Sequence, residues 1–221
     1  MKGNAFILFL KYPQWGEVKT RLARALGNDL ALEVYTCFLA DIAAMTRRVK
    51  AQTIIVYSGP PGISFADFPG VSCLLQRGND IGERMYGAFI DVFAQGFERG
   101  VLMGSDIPDL PAAWVNDAFE KLESVDVVLG PCTDGGYYLV GFQKASLHRS
   151  IFSDIPWSTT GVFSETLGRI AQSGLEAAEL PQWSDIDEID DLKKFYERNE
   201  NRAATSQVMK FLNTKRIINE R

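Results

Sequence analysis

The sequence has few cysteines, one histidine and no long apolar run, and each scarcity excludes a class of protein. Its 221 residues include three cysteines that lie far apart and form no C-x-x-C pair. This pattern is typical of a reduced, intracellular chain and argues against a disulfide framework. The one histidine, His148, lies in a stretch without other catalytic signals, so we interpret it as a surface residue. No stretch reaches the roughly 18 apolar residues from which a membrane span is predicted.

An excess of positive charge is also missing. The 23 basic and 28 acidic residues leave a net charge of −5, which argues against a nucleic-acid-binding protein. The apolar run near the N-terminus, Ala5–Leu10, is too short for a signal peptide. We therefore expect a cytoplasmic protein without a membrane span. The hydrophobic content of 46% with 23% charged residues is ordinary for a globular protein.

Short apolar runs alternate with longer segments of helical period. The runs predict strands at about residues 5–10, 53–57, 71–75, 101–103, 125–129 and 137–142, and the periodic segments predict helices at about 29–47, 81–97, from 111, at 162–170 and at 189–196. Strands without alternation are buried on both faces, as in a parallel sheet covered by helices. We predict one α/β domain over residues 1–221, a three-layer α/β/α structure with a mostly parallel sheet, on which a C-terminal helix at roughly 203–213 packs.

The loop after the first strand is basic in an acidic protein. Through Arg24 the chain has five basic residues and one acidic residue, Glu17. Lys19 and Arg21 stand where a short helix would begin, and both suit phosphate oxygens. The alternative is a solvated surface loop. The loop matches neither G-x-G-x-x-G nor G-x-x-x-x-G-K-[ST], which disfavours a Rossmann dehydrogenase and a P-loop NTPase.

Acidic residues follow the predicted central strand. Asp106 comes directly after Gly104-Ser105, where ligands bind in an open parallel sheet. Its carboxylate suits Mg²⁺ or Mn²⁺, which favour oxygen ligands. The alternative is a turn or cap role for Asp106, and Asp109 is a candidate cap for the helix that begins near Pro111.

Two further segments carry chemistry with alternatives left open. Asp134-Gly135-Gly136 lies between two predicted strands; it is either a hairpin turn or a place where the backbone approaches a sugar or phosphate. Near the C-terminus, five acids lie within residues 183–191. Asp185 and Asp187 would point the same way on an extended segment, so one of them could reach a metal held by Asp106. Simple helix capping is the alternative.

Several motifs occur in order between about residues 6 and 195 and together resemble one family. They are Pro13-x-x-Gly16-x-Val18-Lys19-Thr20-Arg21-Leu22, Gly82-Glu83-Arg84-Met85, Gly104-Ser105-Asp106-x-Pro108, Gly130-Pro131-x-x-Asp134-Gly135-Gly136-Tyr137-Tyr138-Leu139, Trp157-Ser158-Thr159 and Asp185-x-Asp187-x-x-Asp190-x-Leu192. The set resembles the radical-SAM/selenodomain-associated transferases of the nucleotide-diphospho-sugar transferase (GT-A) superfamily. It is more distantly similar to guanylyltransferases of molybdenum-cofactor and phospholactate metabolism, whose glycine-rich loop is shortened here to Gly16-x-x-Lys19-x-Arg21.

The resemblance implies a GT-A fold, a nucleotide-linked donor, a small-molecule acceptor and a Mg²⁺ or Mn²⁺ ion. It implies that Asp106 and Asp187 are the metal ligands, with Asp134, Gly135 and Gly136 on the acceptor or sugar side. We add Asp134 as the candidate residue that either orients an acceptor hydroxyl or serves as its base. The predicted nucleotide and phosphate ligands are Lys11, Gly16, Lys19, Arg21 and Arg84, although a structural ion pair is an equal alternative for Arg84. Trp157 is predicted either to close on the donor as part of a lid or to plug the core.

Three functions remain open at this point. The first is a metal-dependent transferase of glycosyltransferase type that uses a nucleotide-diphosphate-linked donor. The second is a nucleotidyltransferase that attacks the α-phosphate of a triphosphate and releases pyrophosphate. The third is a catalytically silent nucleotide-binding module. The first two require that Asp187 lies close to Asp106, with Lys19 and Arg21 turned into the same cleft.

Overall fold

The computed structural model describes residues 2–218, in which seven strands form one sheet. The strands are β1 (Lys2–Lys11), β2 (Gln52–Ser58), β3 (Ser72–Leu75), β4 (Phe97–Gly104), β5 (Val127–Pro131), β6 (Tyr137–Gln143) and β7 (Ala177–Glu179). Their spatial order is β3-β2-β1-β4-β6-β5-β7. Four of the six strand pairings are parallel, and β6 is antiparallel to both of its neighbours. The predicted mostly parallel sheet is confirmed. Met1 and residues 219–221, the ends of the predicted domain, lie outside the described residues.

Helices cover both faces of the sheet. They are α1 (Thr20–Leu26), α2 (Asn28–Thr46), α3 (Ile81–Ala94), α4 (Ala112–Lys121), α5 (Val162–Gln172), α6 (Ile189–Arg198) and α7 (Gln207–Lys215), with short 3₁₀ turns at Lys144–Ser146, Arg149–Phe152 and Glu200–Arg202. Within residues 2–218, none of these helices has the length and apolar content needed to cross a membrane.

The side chains of β1 alternate between two cores. Phe6, Leu8 and Leu10 pack in a core with α2, α4, α6 and α7. Ala5, Ile7 and Phe9 belong to a second core that includes α3 and α5. A strand buried on both faces reads as a continuous apolar run, because neither face meets water. The predicted three-layer α/β/α structure is therefore confirmed.

The structure differs from the predicted elements at the end of one helix and in a strand that the sequence pattern missed, and several other boundaries shift by a few residues. The helix predicted to reach residue 97 ends at Ala94, and Phe97 instead begins β4. Gly96 between them has a φ of 92°, a conformation that glycine adopts without steric cost and that ends the helical path. The strand β7 was not predicted, because three residues with the sequence Ala-Ala-Glu carry too little apolar pattern to indicate a strand.

The segment after β7 continues along β5 towards the ends of the central strands. β7 pairs in parallel with β5, and Trp183 N then donates to Pro131 O at 3.0 Å. Further on, Ile186 N donates to Asp106 O, also at 3.0 Å. These backbone bonds deliver the acidic residues of the C-terminal segment to the loop that follows β4.

The buried carboxylate of Asp109 ties the loop after β4 to the end of α6. It accepts hydrogen bonds from Arg198 Nε at 2.7 Å, Arg198 Nη2 at 3.1 Å and Asn199 Nδ2 at 2.7 Å. The predicted capping role is wrong, because α4 begins after Pro111 without a side-chain cap. The fork of an arginine fits a carboxylate in two parallel bonds, and this pairing fixes the loop that presents Asp106.

Replacement of Asp109 tests how far this pairing stabilises the fold. The Asp109 side chain is 2% exposed, so Asp109→Ala would leave the Arg198 charge without its partner and should lower the free energy of unfolding by about 3 kcal/mol. Urea denaturation measures the loss. Glu123→Ala is the control, since its pair with Arg99 is 3.7 Å long with Glu123 67% exposed, and its loss should cost less than about 1 kcal/mol. Equal decreases in the free energy of unfolding of the two variants would contradict a stabilising role for the Asp109–Arg198 pair.

Candidate functional site

A cavity of about 780 Å³ opens at the edge of the sheet where β1 and β4 end and β6 begins. Ligands of open α/β sheets bind outside the carboxyl ends of the strands, so the cavity lies where a ligand site is expected. Most of the predicted site residues line it, namely Lys11, Lys19, Arg21, Arg84, Asp106, Asp134, Gly136, Trp157 and Asp187. Gly16 and Gly135 are not among the lining residues.

The ammonium group of Lys19 joins the two predicted metal ligands. Its Nζ lies 2.5 Å from Asp106 Oδ1 and 3.1 Å from Asp187 Oδ1, and it donates to the carbonyl oxygen of Ile186 at 2.6 Å. The Lys19 side chain is 4% exposed. The two carboxylates therefore meet at one buried cation, although they lie far apart in the sequence.

Lys19 stays charged in this buried position. Burial works against the charged form, but the Asp106 and Asp187 carboxylates outweigh it and raise the pKa of Lys19 above its ordinary value. The three N–H bonds of the ammonium group match the three acceptors that surround it. The sequence predicted Lys19 as a phosphate ligand, whereas in the structure its contacts are with these protein oxygens.

The backbone around Lys19 is constrained to hold this geometry. Lys19 precedes α1 with a φ of 48°, in the left-handed region that non-glycine residues seldom occupy. Such a conformation persists only where the surroundings enforce it, and it is common at functional sites. The nearby Gly16 has a φ of 72°, so glycine is required there by the turn of the loop rather than by a cavity contact.

A buried tyrosine ties the ends of β1 and β4 together beside the acidic pair. The Tyr35 hydroxyl donates to Lys11 O at 2.9 Å and lies 3.0 Å from Ser105 Oγ. Burial, and then the charge of Asp106, raise the pKa of Tyr35 well above its usual range, so the hydroxyl remains protonated. This contact sets the spacing between the basic loop and Asp106.

The remaining basic residues lie at the rim of the cavity. Lys11 pairs with Glu17 at 2.9 Å, and both side chains are about half exposed. Arg21 Nη1 lies 3.6 Å from Asp187 Oδ2 with its side chain 58% exposed. Arg84 donates from Nε to a backbone carbonyl at 3.2 Å. Exposed ion pairs contribute little stability, so Lys11 and Arg21 can turn to an anionic ligand at low cost.

The loop of Asp134 is held by hydrogen bonds within the protein. Asp134 Oδ1 accepts from Gly136 N at 2.9 Å. Gly135 has a φ of 92°, and a Cβ at this position would lie 2.2 Å from Thr160 O. Gly135 also accepts from Phe163 N at 2.9 Å. The sequence suggested that the backbone approaches a sugar or phosphate here, but at Gly135 it approaches the backbone of Thr160 instead. The loop is also the hairpin that joins β5 to β6.

Trp157 forms part of the cavity wall and packs against α3. A Cβ on Gly82 would lie 2.6 Å from the Trp157 ring, so glycine is needed where the indole crosses the start of the helix. The ring also meets Tyr137 edge-to-face, with 6.4 Å between the ring centroids. Trp157 is packed and also lines the cavity; that it closes on a donor stays a prediction.

Asp185 belongs to the same acidic region, although the sequence interpretation selected Asp187 alone. Oxygens of Asp185 and Asp134 and the Cys132 sulfur lie within 4.8 Å of one another. Burial first, and then the charges of neighbouring carboxylates, raise the pKa of Asp185 to about 6. The Asp-x-Asp spacing was the available signal, but only the path of the segment after β7 shows which way each side chain points.

The donor set suits a hard divalent cation. Mg²⁺ and Mn²⁺ take oxygen ligands, commonly one or two carboxylates completed by phosphates and water. Asp106 and Asp187 are 44% and 39% exposed and both line the cavity, so each can offer an oxygen to such an ion. Burial raises the pKa of the Cys132 thiol well above neutrality, which disfavours it as a thiolate ligand.

Comparison with known proteins identifies relatives of this chain. A protein of Desulfovibrio desulfuricans G20, called a "putative nucleotide-diphospho-sugar transferase", is 36% identical, with 98% of this chain and 96% of that chain covered and a TM-score of 0.91. A cytidylyltransferase of Leptospira borgpetersenii is 15% identical, with 100% and 94% covered and a TM-score of 0.59. A nucleotidyl transferase of Methanothermobacter is 14% identical, with 90% and 98% covered and a TM-score of 0.61. The last two likenesses concern the fold alone.

Family assignment rests on sequence over more than half of the chain. No curated protein matches the chain in sequence. A family model described as "Uncharacterized protein conserved in bacteria (DUF2064)" matches residues 41–159. Together with the Desulfovibrio relative, which is similar over nearly the full length, this match means that the chain belongs to the DUF2064 family and has the fold of the nucleotide-diphospho-sugar transferases.

Proposed function

We propose that this protein is a divalent-cation-dependent transferase of the radical-SAM/selenodomain-associated type that uses a nucleotide-diphosphate-linked donor. The observation that carries the proposal is the meeting of Asp106 and Asp187 at the wall of the cavity, with Lys19 between them. Lys19 balances the charge of this pair, and both carboxylates remain partly exposed at the cavity, where a divalent cation can reach their oxygens. The basic rim above this acidic pair supplies the opposite charge, which an anionic donor requires.

Asp106 and Asp187 would hold the cation through the carboxylate oxygens that face the cavity. When bound, a Mg²⁺ or Mn²⁺ ion supplies positive charge that stabilises the departing diphosphate. The protein's part is to fix the two carboxylates before the donor arrives, through Lys19 and through the backbone bond from Ile186 to Asp106. A preformed site avoids the cost of ordering these groups during the reaction.

Arg21, Arg84 and Lys11 would bind and orient the donor's phosphates. Arg21 stands beside Asp187 and is largely exposed, so its guanidinium can reach a phosphate next to the acidic pair. Arginine offers two parallel N–H bonds to phosphate oxygens and so fixes orientation as well as charge. Arg84 approaches the cavity from α3, and Lys11 from the end of β1.

Asp134 is our candidate for the group that receives the acceptor's proton. The acceptor hydroxyl oxygen would form a bond to the transferred group while the bond from that group to the diphosphate breaks and its electron pair leaves with the diphosphate. The hydroxyl proton would pass to Oδ2 of Asp134, because Oδ1 already accepts from Gly136 N. General-base assistance of this kind commonly contributes about 10²–10⁴-fold in rate.

Glycosyl transfer is favoured over nucleotidyl transfer by the charge of the first loop. A triphosphate carries more negative charge than a diphosphate-linked sugar and needs more cations. Lys19 is occupied by Asp106 and Asp187, which leaves the shortened loop with Arg21 and a paired Lys11. The relative from Desulfovibrio is called a "putative nucleotide-diphospho-sugar transferase", which supports a nucleotide-linked donor. A silent binding module would not need the acidic pair that the cavity retains.

The proposed site is tested by ligand-dependent melting. A UDP- or GDP-linked sugar with Mn²⁺ should raise the melting temperature of the wild-type protein, because a ligand that binds only the folded state stabilises it. Asp106→Asn and Asp187→Asn should lose the part of the increase that depends on Mn²⁺.

Asp190→Asn is the matched control for these variants, since Asp190 is an exposed carboxylate on α6 that pairs with Lys193. It should keep the full increase. If the Mn²⁺-dependent increase survives in Asp106→Asn, the cation site is wrongly assigned.

The type of transfer is tested by the products. With a nucleotide-linked sugar and Mn²⁺, we expect slow release of the nucleoside diphosphate, since water can replace the acceptor. With nucleoside triphosphates and Mn²⁺ we expect no pyrophosphate. Liquid chromatography of the nucleotides and a coupled pyrophosphate assay measure both. Pyrophosphate release from a triphosphate would contradict glycosyl transfer and favour the nucleotidyltransferase alternative.

Replacement of Asp134 tests its role as the base. Asp134→Asn should reduce the rate of nucleoside diphosphate release without loss of donor binding, because the amide cannot accept the acceptor's proton.

A further inference from the structure

The charges in contact at the acidic pair sum to zero before any ligand binds. Asp106 and Asp187 supply two negative charges, and Lys19 contacts both. Arg21 adds a second positive charge 3.6 Å from the other oxygen of Asp187. These two cations differ in exposure, because the Lys19 side chain is 4% exposed and that of Arg21 is 58% exposed. Water and salt screen the exposed charge and leave the buried one almost unscreened.

Lys19 cannot easily leave its place to make room for another cation. Its backbone is held in the left-handed region at the start of α1, and the carbonyl of Ile186 accepts the third ammonium bond. The ring of Phe38 lies 5.6 Å from Nζ, so the amine is packed as well as hydrogen-bonded. A divalent ion that binds the free oxygens of the two carboxylates must therefore do so beside a fixed positive charge.

We propose that Lys19 is a built-in counter-ion that keeps Asp106 and Asp187 from holding a free divalent cation, so that the cation binds only together with an anionic diphosphate. This inference rests on the proposed function and adds an order of binding to it. With Asp106 and Asp187 already neutralised, a free cation gains less attraction from this pair than from two unpaired carboxylates, and Asp134 and Asp185 are negative groups that remain nearby. Two or more negative charges on a diphosphate restore the balance and complete the oxygen ligands.

The competing role for Lys19 is direct binding of the donor's phosphate. That role requires the ammonium group to exchange its protein acceptors for phosphate oxygens when the ligand binds. A structure with Mn²⁺ and pyrophosphate separates the two roles, because a counter-ion keeps its contacts with Asp106 and Asp187 whereas a phosphate ligand leaves them. Binding of Mn²⁺ to the ligand-free protein tests the counter-ion effect itself.

The test compares Mn²⁺ binding by the wild type, Lys19→Met and Arg21→Met in phosphate-free buffer. The electron paramagnetic resonance signal of free Mn²⁺ reports the bound fraction. Removal of the unscreened charge should tighten Mn²⁺ binding by about tenfold or more in Lys19→Met. Arg21→Met removes the same formal charge from an exposed position, and its Mn²⁺ affinity should change by less than about threefold.

Lys19→Met leaves two carboxylates without their shared cation and should melt at a lower temperature than the wild type when Mn²⁺ is absent. Mn²⁺ should recover more of the melting temperature in this variant than in the wild type, because the ion takes over the missing charge. Equal Mn²⁺ affinity in Lys19→Met and the wild type would overturn the inference.

A second measurement does not depend on the variant's folding. The wild-type protein should bind Mn²⁺ weakly alone and should be stabilised when Mn²⁺ and inorganic pyrophosphate are added together, by more than with either alone. Wild-type protein that binds Mn²⁺ equally well without pyrophosphate would overturn the inference. Failure of all three proteins to bind Mn²⁺, even with pyrophosphate, would overturn it together with the cation site.

The proposed function can fail separately. If Lys19→Met gains Mn²⁺ affinity while no nucleotide-linked sugar binds to the wild type, the counter-ion role stands and the donor is wrongly assigned. If the sugar nucleotide and Mn²⁺ bind together but Lys19→Met leaves Mn²⁺ binding unchanged, the transferase site stands and only the order of binding is wrong.

Discussion

The ammonium group of Lys19 holds together two parts of the chain that are 168 residues apart, through its contact with Asp187 at 3.1 Å and with Asp106 at 2.5 Å. Two carboxylates from separate loops repel each other, and water screens this repulsion only in part because both side chains are less than half exposed. The lysine removes this obstacle and so permits an acidic pair to exist at the end of the central strands. The strand β7 and the segment after it bring Asp187 to Asp106 through their backbone bonds to β5 and to the loop after β4.

The cavity around this junction has an acidic floor and a basic rim, and the two have different supports. Asp106 is positioned by the end of β4, and the buried pairing of Asp109 with Arg198 holds the loop that follows. The rim residues Arg21 and Lys11 are exposed and weakly paired. A hydrogen-bonded acidic floor with an exposed basic rim suits a site in which the reacting groups are held in place while charged side chains turn to the ligand.

Much of this arrangement could be predicted from the sequence, for identifiable physical reasons. Fully buried runs such as Ala5–Leu10 predict a parallel sheet covered on both faces. In such a sheet the loops after the strands meet at one edge, so Asp106 and Lys19 were predicted to lie in the same site. The convergence of Asp187 on Asp106 depended on motif resemblance, because no local pattern encodes a contact over such a distance. The fold and the pair could therefore be predicted before any coordinates.

Other features of the site depend on three-dimensional contacts that leave no local signal in the sequence. The partners of Lys19 could not be predicted, because a lysine in a basic loop has the same local signal whether it faces phosphate or protein carboxylates. Gly135 looked like a ligand-facing glycine, yet its positive φ and its approach to Thr160 serve the packing of two loops. Asp185 and Asp187 have the same local signal in the sequence, and only the three-dimensional path of the segment after β7 places Asp187 at Lys19 and Asp185 beside Asp134.

The most direct test of the account is a crystal structure of the protein with Mn²⁺ and a nucleotide-diphosphate-linked sugar, with the ion located by its anomalous scattering. We expect one anomalous peak bonded to oxygens of both Asp106 and Asp187 and to the donor's diphosphate, with Lys19 still in contact with the two carboxylates. A peak held instead by Cys132, Asp134 and Asp185, or a donor bound away from the acidic pair, would contradict it.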